Sequence, residues 1–129
     1  VERYLVHLIE LKPDHAQAYN ALGYTLAERT QRYQEAFDYI QRAMKLEPND
    51  PYILDSMGWV CFKMGDIPCG EKFLRAAYQV RPDPEIAAHL GELFWHEGRK
   101  KEAEEIWRES LKENPDSDPL KLIIEKYLD

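Results

Sequence analysis

The chain has 129 residues, 44% of them apolar, with 24 acidic side chains against 17 basic ones and a formal charge of −7. That length and apolar share suit one folded unit with a real core, and net acidity without a Lys/Arg stripe argues against nucleic acid as a partner. No run of about eighteen apolar residues occurs, so no membrane-spanning segment and no membrane contact are expected from this stretch. The opening Val1-Glu2-Arg3-Tyr4 carries neither an initiator Met nor a signal core, and the chain reads as a piece of a longer protein whose targeting information lies elsewhere.

Self-similarity organises the rest. Pro13, Pro48, Pro82 and Pro115 recur at spacings of 35, 34 and 33, each just past a segment of helical periodicity. Proline lacks an amide donor and disfavours helix in the residue before it, so each one ends a helix and turns the chain. In chain order, residues 1–15 read as the second helix of a preceding repeat, 16–50, 51–83 and 84–117 as three helix pairs, and 118–129 as a terminal capping helix with Asp118 as N-cap and Pro119 in its first turn. The first helix of each pair carries Tyr19-x2-Leu22-Gly23-x2-Leu26, Leu54-x2-Met57-Gly58-x2-Cys61 or Ala87-x2-Leu90-Gly91-x2-Phe94. The second carries Ala36-x3-Ile40-x2-Ala43, Gly70-x3-Leu74-x2-Ala77 or Ala103-x3-Trp107-x2-Ser110. Small residues at the crossing let two antiparallel helices approach until their bulky neighbours interlock. Two departures stand out: an extra residue around Arg29-Thr30-Gln31, and Pro68 with Gly70 at the start of one second helix, where Gly is expected to loosen the helix by up to about 1 kcal/mol relative to Ala.

An aromatic, Leu-Gly, an aromatic, small-x3-aromatic and proline on this period resemble the tetratricopeptide signature. The resemblance implies an all-α fold, a right-handed superhelical solenoid of antiparallel helix pairs. The stretches Ala21-Leu22-Gly23-Tyr24-Thr25-Leu26-Ala27, Leu54-Asp55-Ser56-Met57-Gly58-Trp59-Val60 and Pro82–Glu92 are further similar to the C-terminal part of outer-membrane-anchored tetratricopeptide lipoproteins of Gram-negative bacteria. That similarity implies a periplasmic location in the parent, with the cytoplasm as the alternative. It also implies an adaptor that brings a carboxyl-terminal processing protease to cell-wall hydrolases.

In such an array the first helices line the concave side. Rotation away from the core stripe places Gln17, Asn20, Tyr24 and Glu28, then Tyr52, Asp55, Trp59, Phe62 and Lys63, then Glu85, Glu92, Trp95 and His96 toward the groove. Tyr and Trp cover large area with few rotamers to freeze, so Tyr24, Tyr52, Trp59, Phe62 and Trp95 are the expected partner anchors. Asp55 and Glu92 are expected to meet basic side chains of a protein or peptide partner. Aromatics at helical spacing also serve as core, and that reading stands beside the groove reading for Trp59 and Phe62. Chaperone-type acidic tails do not fit, because acidic residues stand where Lys and Arg would be needed and only Asn20 matches. Self-association through the edge around Tyr4, Leu5 and Leu8 is the alternative function.

No catalytic constellation, cofactor or metal site is expected. No phosphate loop or nucleophile turn appears, Glu104-Glu105 reads as solvated charge, and His89, Glu92 and His96 lack the spacing of a zinc helix. Cys61 and Cys69, eight apart, read as two small apolar side chains in helix contacts. A disulfide between them would require an oxidising compartment and bonding distance.

Overall fold

The computed structural model describes all 129 residues as eight α-helices without a strand: α1 Glu2–Leu11, α2 Ala16–Arg29, α3 Tyr33–Leu46, α4 Pro51–Lys63, α5 Ile67–Val80, α6 Pro84–His96, α7 Lys100–Glu113 and α8 Asp118–Tyr127. α2 packs on α3, α4 on α5 and α6 on α7, and these hairpins stack so that α2, α4, α6 and α8 form one layer while α3, α5 and α7 form the other.

The helix starts follow local chemistry. Asp50 and Asp83 accept the first free amides of α4 and α6, each with proline as the first helical residue, and Asp66 accepts from Cys69 N at the head of α5. At α8 the cap is Ser117, not Asp118: its hydroxyl accepts from Leu120 N at 3.3 Å, and Asp118 enters the first turn, where its charge favours the helix dipole. The hairpin turns come in two forms. After α4 and α6 the chain reverses through Gly65 and Gly98 at φ of 86° and 79°, a conformation open to glycine. The α2–α3 turn has no such glycine, and Thr30 replaces it by donating its hydroxyl to Leu26 O at 2.6 Å and accepting from Arg32 N at 3.0 Å. The extra residue seen in the sequence lengthens α2, which has 14 residues against 13 in α4 and α6.

Close helix crossings carry the packing. A methyl group on Gly23 would meet Ile40 and the Ala36 carbonyl, and one on Gly58 would meet Leu74 and the backbone of α5. On Gly91 it would overlap the indole of Trp107, which is fully buried and donates Nε1–H to Ala88 O at 3.3 Å. Around these crossings Leu22, Leu26, Ile40, Ile53, Met57 and Val60 fill the first part of the core, and Leu93, Trp107, Leu120 and Ile124 the last. Leu5, expected at an open edge, is instead turned inward and buried, whereas Val1, Tyr4 and Leu11 remain exposed.

Cys61 and Cys69 are joined as a disulfide, with Cα atoms 5.7 Å apart. This corrects the reading of two separate thiols. The last turns of α4 face the first turn of α5 across the tight Gly65 reversal, and the two side chains meet there.

Three stability outcomes follow from this packing. Gly91→Ala should cost about 3 kcal/mol in denaturant unfolding, because the indole it strikes is rigid and buried. Gly70→Ala should cost far less, since its nearest obstacle is the flexible tip of Leu93 at 2.9 Å and helix propensity improves. Replacing both cysteines with serine should lower stability by about 2.5 kcal/mol, the chain-entropy value for so short a loop, in the same measurement.

Candidate functional site

The inner layer presents a cleft of about 180 Å³ lined by Asn20, Ala21 and Tyr24 of α2, Tyr52, Asp55 and Ser56 of α4, and Glu85 and His89 of α6. Tyr52 and Glu85 also line an adjoining cleft of about 520 Å³ that runs on to Asp83, Asn114, Asp116 and Ser117 at the head of α8. The groove thus continues from the middle of the array to one edge of it. No Lys or Arg lines either cleft.

Its floor is a polar network around His89. His89 Nδ1 lies 2.9 and 3.0 Å from the two oxygens of Asp55, and because a carboxylate only accepts, Nδ1 carries the proton. Nε2 lies 3.4 Å from Tyr24 Oη. The ring stacks on Trp59 with centroids 4.2 Å apart, and Trp59 Nε1 donates to Glu28 at 2.9 Å. Burial disfavours charge on His89, yet the Asp55 carboxylate outweighs it, with Glu28 and Glu92 behind, and raises the imidazole above its ordinary range. Burial, followed by the field of Glu28 and Asp55, pushes the Tyr24 phenol well up, so it stays neutral.

The anticipated groove residues fall into two groups. Asn20, Tyr24, Tyr52 and Asp55 meet in the cleft, where Asn20 Oδ1 is buried with no hydrogen-bond partner and Tyr52 is 40% exposed and donates to Asp83 at 3.0 Å. Glu92, Trp95 and His96 gather instead beneath α8. There Tyr127 donates to Glu92 at 2.7 Å, His96 Nε2 lies 3.1 Å from the same hydroxyl, and Trp95, Tyr127 and Trp107 pack against one another. Phe62 bridges the two groups, 5.3 Å from Trp59 and 5.6 Å from His96 between ring centroids.

The geometry bears on three of these residues. Asp55 is not free for a partner's base, because His89 already holds it. Glu92 is likewise engaged, bonded to Tyr127 with Lys126 at 3.9 Å. Trp59, only 4% exposed, is floor and not anchor, its faces covered by His89 and by the ammonium of Lys63. His89 was the residue the groove reading missed. Aligned on the repeat glycines it occupies the place of Ala21 and Ser56, and all three line the cleft, so the register held the signal.

Comparison with known proteins agrees with this architecture. The tetratricopeptide repeat model matches residues 2–51 and 58–118, and the chain belongs to that family. It is 54% identical over 92 residues to a tetratricopeptide-repeat-containing protein of Pseudomonas aeruginosa, a match covering 71% of this chain and 16% of that relative's length. Among solved structures, a thermophilic tetratricopeptide protein of Thermus thermophilus superposes with a TM-score of 0.83 at 21% identity, over 94% of this chain and 68% of that one. An O-GlcNAc transferase of Thermobaculum terrenum does so with a TM-score of 0.68 at 26% identity, over 72% of this chain and 18% of that one. The fold is the tetratricopeptide solenoid, a scaffold for protein–protein interaction.

Removing the acid of the floor should have two linked effects. Asp55→Ala should destabilise the chain by about 3 kcal/mol at neutral pH, the usual result of leaving a buried charge without its partner. In the same variant, NMR titration should find His89 well below its wild-type midpoint, since burial then acts with less opposition.

Proposed function

We propose that the concave groove docks a protein or peptide partner of apolar and basic character, and that the parent is a periplasmic adaptor bringing a processing protease to cell-wall enzymes. The observation that carries the groove reading is the continuous track shared by the two clefts, with acidic side chains along all of it and the aromatics Tyr24, Tyr52 and His89 at its inner end. Its exposed members, Tyr52 and Glu85, stand on either side of the junction, and Glu85 is in no ion pair. The disulfide, which needs an oxidising compartment, supports the periplasm. The chain spans about 16% of the Pseudomonas relative, so the adaptor role concerns the longer parent.

A second reading, self-association, is favoured by the exposed apolar face of Val1, Tyr4 and Leu11, at 80%, 68% and 67% exposure. The two readings separate by measurement. Binding of a purified periplasmic carboxyl-terminal processing protease should weaken by roughly tenfold or more in Tyr52→Ala/Glu85→Gln, whose side chains are exposed, with helicity unchanged. Undiminished binding would move the partner site out of the groove; no binding by either form would remove the adaptor reading. Sedimentation of a species heavier than one chain, abolished by Tyr4→Ser/Leu11→Ser, would favour self-association.

A further inference from the structure

α2 and α6 belong to the first and third hairpins, and their backbones do not touch. The side-chain bridge between them is Tyr24 to His89, at 3.4 Å and with ring centroids 6.1 Å apart. His89 simultaneously holds Asp55 and stacks on Trp59, both of α4. One imidazole therefore touches the first helices of all three hairpins.

We propose that His89 is a proton-operated clasp: protonated, it ties α2, α4 and α6 into the curved form of the groove, and loss of its proton releases the Tyr24 end. The protonated ring uses both of its protons. Nδ1–H donates to Asp55, Nε2–H donates to the Tyr24 oxygen, and the cationic ring lies on the face of Trp59.

When the ring gives up a proton, the one on Nδ1 stays, because its acceptor is a charged carboxylate. Nε2 then becomes an acceptor and requires the hydroxyl proton of Tyr24. Glu28, held nearby by Trp59 Nε1 at 2.9 Å, acts on the Tyr24 phenol through its charge and competes for that same proton as the stronger acceptor. The neutral imidazole loses this competition, and the bridge between the first and third hairpins opens.

Three carboxylates around His89 favour its protonated state, Asp55 first and then Glu28 and Glu92, and the other titratable groups of the three helices lie about them. From α2 come Tyr24 and Glu28, from α4 Asp55 and Tyr52, and from α6 Glu85 and Glu92. The nearby cation, Lys63, lies 5.0 Å from the centroid of Trp59. The sign follows: the folded-state value lies above the ordinary 6.5, so the clasp contributes fully below that value and is lost as pH rises through the folded value.

The test needs no partner, so its outcome is independent of the proposed function. With both native cysteines in a disulfide, spin labels on Arg29→Cys and Glu97→Cys, exposed at the ends of α2 and α6, attach without competing thiols. Pulsed electron-spin distances should be single and narrow near pH 6 and broaden roughly twofold near pH 9, as a second arrangement becomes populated. Adding Tyr24→Phe should give the broad distribution at both pH values, and adding His89→Gln should remove the pH dependence. Nitrogen NMR near pH 6 should find both ring nitrogens of His89 protonated. A wild-type distribution that does not change with pH, or an unprotonated Nε2 near pH 6, would overturn the proposal.

Discussion

Close approach of antiparallel helices at Gly23, Gly58 and Gly91 is the constraint on which the rest depends. With hydrogen in place of a side chain, α3, α5 and α7 seat Ile40, Leu74 and Trp107 directly against the facing helix. That contact fixes the angle within each hairpin, and the prolines between hairpins fix where the next begins. Three hairpins built alike must stack, and stacking puts α2, α4 and α6 side by side. The groove is thus a consequence of three missing methyl groups, two layers removed from them.

What the groove then contains departs from a simple apolar slot. Its floor carries Asp55, His89, Tyr24, Glu28 and Trp59 in mutual satisfaction, so the charges deepest in it are bonded to one another. Ligand-facing chemistry is displaced to the rim, to the exposed Tyr52 and Glu85. Such a floor keeps the inner helices in register. A buried ion pair seldom adds much net stability, but breaking it is costly, and a costly break specifies one arrangement of the repeats.

The repeat period, the helix pairs and the fold were legible in the sequence because their causes are local: proline ends a helix, glycine permits a crossing, and apolar residues recur every turn. Groove membership was legible for Asn20, Tyr24 and Tyr52 for the same reason. What was not legible depended on residues one or two repeats apart. Asp55 pairs with a histidine 34 positions on, Trp59 is covered by that same ring, and Glu92 and Trp95 are covered by Tyr127 of the last helix. Helical rotation indicates which way a side chain points, but not what the next repeat lays over it. The disulfide escaped likewise, because nothing but the tightness of the Gly65 turn brings Cys61 and Cys69 within reach.

Hydroxyl-radical footprinting, with and without a bound processing protease, tests most directly whether partners are read at the groove rim. The tyrosines sample every face: Tyr52 on the rim, Tyr33 and Tyr39 on α3 of the outer layer, and Tyr4 on the exposed side of α1. The account predicts that binding protects Tyr52 and leaves Tyr33, Tyr39 and Tyr4 as reactive as in the free chain. Protection of the outer tyrosines or of Tyr4, with Tyr52 unchanged, would contradict it.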